Sequence, residues 1–403
     1  MPTPRGPKLE QLLSTRAQIG LGTSLPPARP VDNALYDFGG GFPDPGSFPY
    51  DGIVEATARM IKAEGDQALT YGAPQGYLGL RELVCHKYEV FEGLKVTPES
   101  IIVSNGSGHA LSLVFSAFLD VGDVMISEAP TFSGTLHTIR RHGPEIVDVP
   151  LDGEGLLTSV LREKLEGLRR QGRRCKLIYT IPNFQNPAGP TLSLKRRHEL
   201  VALAQEYDTV ILEDDAYGEL RYEGEPQPSL YSLDTSGRVL RAGTLSKILG
   251  AGVRLGWVCA SAQMIPVLQG FLFGGGVSPF TSRVATWYMR DHMEEHVQVL
   301  IKVYRDKRDA MLRGLREALE GTDVEISKPE GGFFIWIKLP TGTDQKRLLA
   351  LAVQSRVQYT TGAAFFPNGG GERHIRLAFS YEPPEKCYEG ARLMARAILA
   401  ARS

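Results

Sequence analysis

The chain has 403 residues, enough for two cores, and its 42% hydrophobic and 23% charged residues are those of a folded protein. A formal net charge of −1 removes any global attraction to nucleic acid or to an anionic membrane surface, so neither is expected as a partner. Cys85, Cys175, Cys259 and Cys387 form no CxxC pair, which argues against a zinc knuckle or redox motif, predicts no metal site and fits a reducing cytosol.

The opening MPTPRGPKLEQLLSTRAQIG has no apolar core of signal-peptide length, and no apolar run approaches the span of a bilayer, so a cytoplasmic location is expected. The first fifty residues end in FGGGFPDPGSFP (38–49); their Gly and Pro content predicts an irregular segment lying over something else. Between about 100 and 260, short apolar runs alternate with amphipathic stretches. Runs at 101–103, 124–127, 145–149, 176–181, 209–212, 239–242 and 255–259 read as strands, with helical patterns such as 110–119 and 193–207 between them. That alternation predicts an α/β layered domain around a mostly parallel sheet. A long helix is read at about 280–318, then a strand at 333–338, a helix near 344–355, a strand at 374–379 and a final helix, together a smaller α+β unit.

Five local patterns can carry chemistry. Thr244-Leu245-Ser246-Lys247 follows a predicted strand, with Arg254 seven residues later in a glycine-containing loop. A lysine at a strand end can be partly desolvated, which frees its amine for imine formation, and the hydroxyls with the guanidinium suit a phosphate dianion. A surface loop with a solvated lysine is the alternative. Asp214 and Tyr217 follow the apolar run 210–212, where open α/β sheets form ligand crevices; an acidic helix N-terminus reads the same way. Asn105-Gly106-Ser107-Gly108 precedes a helical pattern beginning at His109 and can cradle phosphate with free N–H groups, or simply cap a helix. Pro182 to Gly189 is a rigid turn that can present the Asn186 amide to a ligand, or a plain turn. Arg376, in an apolar strand pattern, is suited to a bidentate carboxylate contact or to a surface ion pair.

In order, spacing and strand-end context, these motifs resemble the class I/II aminotransferases of pyridoxal-5′-phosphate (PLP) fold type I over nearly the whole chain. The Gly-Gly-Phe-Pro-Asp-Pro opening and the loop from Gly362 to Pro367 look most like the branch containing 2-aminoadipate and kynurenine aminotransferases. The resemblance implies a large domain with a mostly parallel seven-stranded sheet plus a smaller α+β domain. It divides the chain into a segment 1–50 packing with the small domain and over the active site, a PLP-binding domain 51–280, and a long interdomain helix with the small domain at 281–403.

It further implies a ping-pong transfer of the α-amino group of an amino acid to a 2-oxo acid, with 2-oxoglutarate the expected acceptor. Lys247 would hold PLP as a Schiff base and then shuttle the proton. Asp214 would pair with the ring nitrogen, and Asn186 and Tyr217 would hydrogen-bond the ring's phenolic oxygen. Ser107, Gly108, Thr244, Ser246 and Arg254 would hold the phosphate, with His109 beside them. Phe132 would stack on the ring, and Arg376 would clamp the substrate carboxylate with Gly39 and Gly40 at the mouth. Tyr71 would reach the neighbouring subunit's phosphate, making a homodimer the working unit. Phe132 stands where the branch often has tyrosine and His109 where glutamine is frequent, which puts the amino-acid specificity in doubt. Two other readings stay open at this point. One is a same-fold PLP enzyme with lyase, decarboxylase, condensation or oxidase chemistry, which the carboxylate clamp at Arg376 disfavours. The other is the effector-binding half of a PLP-dependent transcription regulator, for which no helix-turn-helix pattern or basic patch is seen.

Overall fold

The computed structural model describes residues 12–22, 33–272 and 276–402. Its centre is a sheet of strands β1 (Ile101–Ser104), β2 (Val124–Ala129), β3 (Glu145–Asp152), β4 (Gly155–Leu156), β5 (Cys175–Thr180), β6 (Val210–Asp215), β7 (Val239–Thr244) and β8 (Gly256–Cys259). The spatial order is β1-β8-β7-β6-β5-β2-β3-β4. From β7 to β3 neighbours run parallel, while β8 is antiparallel to both β1 and β7. The seven expected strands all lie in this sheet, but it has eight members: the two-residue β4 folds back antiparallel on β3 at the edge. Strands β1, β2 and β7 are buried along their whole length, as expected where helices cover both faces of a parallel sheet.

One consequence of this topology positions the site. Strands β1, β2, β5, β6 and β7 share a direction, so the loops after Ser104, Ala129, Thr180, Asp215 and Thr244 emerge at one edge. That edge is where crevices form in open α/β sheets.

The helix Pro279–Leu319 begins with Pro279 at its first position and with the Ser278 hydroxyl accepting from the Thr281 N–H, both standard start signals. Beyond it, Glu325–Ile326, Phe334–Lys338, His374–Ala378 and Thr360–Thr361 form a four-stranded antiparallel sheet covered by the helix Pro384–Ala400. One continuous apolar core joins this unit to the first: it includes Val84 and Trp257 from one side, Met289 and Tyr304 from the long helix, and Ile335 and Ala391 from the other.

The segment read as irregular is more ordered than expected. Thr15–Gly22 is a helix packed on Ser133–His142, and Tyr36–Asp37 pairs in parallel with Val357–Gln358. Residues 1–11 and 23–32 of that segment lie outside the described residues. Among the described residues, no helix is long and apolar enough to cross a membrane.

Candidate active site

Loops from that edge enclose a cavity of about 300 Å³. Lys247 and Asp214 line it, as do Tyr217, Asn186, Phe132, Ser107, Gly108, Ser246 and Arg254, so most of the sequence-predicted residues converge on one space.

The Lys247 amine donates to the Gly41 carbonyl at 2.9 Å and lies 5.6 Å from the centre of the Tyr217 ring. Burial first, and then the positive charge of Arg376, push its pKa down to about 8. An appreciable fraction of the amine is therefore uncharged and nucleophilic near neutral pH.

Asp214 is 6% exposed at the end of β6. Its Oδ2 accepts from the Tyr179 hydroxyl at 2.7 Å, whereas its Oδ1 is buried without a protein partner. Burial pushes its pKa up to about 6; the Tyr179 hydrogen bond opposes this, Asp215 adds to it and Lys247 opposes it. A buried acid with one free oxygen is set to receive a cationic N–H.

Asn186 is presented by a turn pinned from beneath. Gln185 donates to Glu128 at 2.9 Å and to the Pro130 carbonyl at 2.8 Å, and accepts from the Ala188 N–H at 2.9 Å. The Asn186 Oδ1 accepts from Arg376 Nη1 at 3.0 Å, which leaves its NH₂ as the donor available to the cavity.

Arg376, in the small sheet opposite Trp336 and Thr360, is 5% exposed. Its guanidinium donates to Asn186, to the Gly39 carbonyl at 2.6 Å and weakly to Thr360, and lies 4.2 Å and 4.8 Å from the Phe334 and Phe365 rings. Among the described residues these polar partners are all neutral, Nε has none, and burial lowers the pKa to about 10. A buried guanidinium without an acid is costly unless an anion arrives.

The opposite wall is built for an anion. Ser107 and Gly108 form the first turn of the helix Ser107–Phe118, whose early N–H groups lack helical acceptors. Arg254 faces them from the left-handed conformation (φ 52°), donating to the Asn105 carbonyl at 2.9 Å. Gly106 lies between them at φ +80°, a backbone conformation that residues with a side chain rarely adopt, and a Cβ there would also crowd the Arg254 guanidinium. Thr244 sits behind this wall rather than on it: its hydroxyl donates to the Leu255 carbonyl at 2.9 Å and accepts from the Ser246 N–H at 3.1 Å.

Of the expected residues, Gly39, Gly40, Tyr71, His109, Thr244 and Arg376 are not among those lining the cavity. The His109 ring turns back to accept from the Asn105 N–H at 3.1 Å, and Tyr71 is 91% exposed. The Gly39 carbonyl borders Arg376, and the lysine's partner is Gly41, which sequence reasoning missed. It also missed Gly106 as a site position, together with Tyr179 and Thr135. The glycine directly before a predicted helix was a usable signal; the other two had none.

Residues 38–391 match the family described as aminotransferase class I and II. The chain is 39% identical over 362 residues to an aromatic-amino-acid aminotransferase of Thermococcus litoralis, covering 89% of this chain and 87% of that one. It is 33% identical to a 2-aminoadipate transaminase of Thermus thermophilus, over 90% of each chain. The solved structure of Pyrococcus horikoshii kynurenine aminotransferase, in complex with PMP, matches with a TM-score of 0.89 at 34% identity, covering 98% of both chains.

The cavity suits PLP on its own chemistry. It offers an amine of lowered pKa for the aldehyde, an unpartnered carboxylate oxygen for the ring nitrogen, and a glycine-lined helix terminus with an arginine for the phosphate. Family match and cavity chemistry agree: the chain belongs to the class I and II aminotransferases and is a PLP-dependent enzyme of fold type I that transfers amino groups.

Proposed function

We propose that Lys247, Asp214, Tyr217, Asn186 and Arg376 carry out transfer between an amino acid and 2-oxoglutarate in the cavity described above. The observation that carries this reading is a pair of buried groups short of partners among the described residues: Asp214 Oδ1, which has none, and Arg376, whose Nε has none and whose other partners are all neutral. Each is costly alone and is compensated when a cofactor ring and a substrate carboxylate are bound.

Bound PLP supplies the electron sink for the charge left when Cα loses its proton. Lys247 Nζ takes that proton and returns it, beside the carbon throughout. The Asp214 carboxylate keeps a proton on the ring nitrogen. The Tyr217 hydroxyl and the Asn186 NH₂ would donate to the ring's phenolic oxygen. Phe132 would stack on the ring, and Ser107, Gly108, Ser246 and Arg254 would hold the phosphate, with Thr244 in support and His109 bracing the Asn105 turn. Gly39 places the carbonyl that borders Arg376, with Gly40 beside it in the chain at the mouth. The domains would be 51–280 for the cofactor and 281–403 for the long helix and small unit, with 1–50 closing over the site. A homodimer in the cytoplasm is the proposed working form. The exposure of the large apolar residues Tyr50, Val54, Leu69 and Tyr71 supports a second copy packing against this part of the chain, with Tyr71 completing the partner's phosphate site.

The enzyme given a reactive amino acid and 2-oxoglutarate should release the matching oxo acid and glutamate in equal amounts. Carbon dioxide, free ammonia or hydrogen peroxide in their place would overturn the reading. Arg376→Ala should raise KM for both amino donor and oxo acid by about tenfold to a hundredfold, the worth of a charge-assisted pair, with PLP still bound. Arg376→Lys should rescue it poorly, since an ammonium lacks the planar fork; steady-state kinetics with both substrates checks this.

A further inference from the structure

Tyr179 lies in β5, one strand over from Asp214 in β6, and is wholly buried. Its hydroxyl is 2.7 Å from Asp214 Oδ2 and 3.1 Å from Thr135 Oγ1. One phenol proton cannot serve both oxygens. The shorter contact is to a carboxylate and takes it, so the Thr135 hydroxyl proton closes the longer contact from its own side. Thr135 is 2% exposed and sits in the first turn of the helix Ser133–His142, at the cavity wall beside Phe132. The two hydroxyls form a chain whose protons both point toward Asp214, an arrangement in which each bond strengthens the next.

We propose that Tyr179, backed by Thr135, is a positioning residue that keeps the Asp214 carboxylate ionised and turned so that Oδ1 alone is offered to the cofactor ring nitrogen. The proposal rests on the role given to Asp214 above and extends it. Among the described residues, Tyr179 is the one side chain that donates to Asp214. The other charges around Asp214 do not replace it. Asp215 disfavours its ionisation, and Lys247 favours it but uses its hydrogen bond on Gly41; buried Glu128 adds a further acid nearby. Asp215 is itself held by Arg241 and by Asn183, at 3.0 Å, so neither of those donors is free to turn toward Asp214. Without the phenol, the proton shared between ring and carboxylate moves from the ring nitrogen onto Asp214 Oδ1. The bond N–H breaks and O–H forms, with no change in total charge.

The test is NMR of the ring nitrogen in isotope-labelled PLP bound to the wild type, to Tyr179→Phe and to Thr135→Val. Phe keeps the ring volume and loses one oxygen. At neutral pH the wild type should show a protonated ring nitrogen. Tyr179→Phe should move that resonance toward the unprotonated value and lower kcat by about tenfold to a hundredfold, the worth of a hydrogen bond to a charged group. The KM for the amino donor should hardly change, because Arg376 is untouched. Thr135→Val, which leaves the phenol in place, should shift the resonance in the same direction by less, and serves alone if Tyr179→Phe does not fold. A protonated wild-type ring with an unmoved resonance in the variants overturns the proposal and leaves the Asp214 assignment standing. An unprotonated ring in the wild type overturns both.

Discussion

Lys247→Ala should lower kcat for amino transfer by at least about 10⁴-fold, the upper range of proton-transfer catalysis alone, because it also removes the covalent anchor. The variant should still bind PLP, since the phosphate wall and Asp214 are untouched, but borohydride reduction should no longer fix the cofactor to the chain. In the wild type the same treatment should label Lys247 and no other lysine. The lowered pKa adds a pH signature. A protonated amine cannot attack the PLP aldehyde, so the rate of PLP capture by the apoenzyme should rise with pH and level off above about 8, not above the ordinary lysine value of 10.5. Burial is the main cause, with Arg376 the next contributor, so Arg376→Ala should move the midpoint upward. Peptide mapping that places the adduct on another lysine would remove the basis for the whole assignment. A capture rate still climbing well above the expected midpoint would show that the amine is not desolvated in solution.

The sheet was legible in the sequence because its strands are buried on both faces. β1 has all four residues buried, so its apolar run Ile101–Val103 stands out without any alternation. β4 is two residues long and has no periodicity to read. The helix Thr15–Gly22 has no buried residue, no acidic residue in its first turn and no basic one in its last, so nothing local marks it. The helices Tyr50–Ala68 and Leu78–Glu92 also went unread, although both have an apolar face: Ala56 and Met60 in one, Leu80 and Val84 in the other.

The site divides along a similar line. Asn186, Asp214 and Lys247, which line one cavity, could be singled out because each sits in a short motif at a strand end whose chemistry is local. The contacts that tune them are not local. Tyr179 meets Asp214 across 35 positions and Gly41 meets Lys247 across 206, and neither pairing leaves a trace in spacing. His109 belongs to the same motif as Ser107 and Gly108, and its ring accepts from the Asn105 amide, a contact that spacing alone does not reveal.

Asp214→Asn should separate the cost of this site from its use, because its two effects have opposite signs. In the loaded enzyme the variant cannot hold a proton on the ring nitrogen. A unit charge pair at about 4 Å with an effective dielectric of about 20 is worth on the order of 4 kcal/mol. At about 1.4 kcal/mol per decade, that is roughly a thousandfold in kcat. In the apoenzyme the same carboxylate is a liability. Its folded pKa is raised from 3.8 to about 6, so ionising it is harder in the folded chain than in the unfolded one. The penalty is absent at a pH below both values, grows between them and is complete above about 6. With each tenfold change in acidity worth about 1.4 kcal/mol, a rise of that size costs roughly 3 kcal/mol at neutral pH. Asparagine keeps the shape and still accepts from Tyr179 but carries no charge, so apo Asp214→Asn should unfold at higher temperature than the apo wild type at neutral pH. At acid pH the difference should shrink. Calorimetry of the two apoenzymes across that range, beside kcat of the loaded forms, tests both halves. Near-normal turnover would reduce Asp214 to a buried acid at the end of β6 with no part in the chemistry. A less stable apo variant at neutral pH would show that the buried carboxylate is satisfied within the protein, and that its free oxygen is not waiting for a ring.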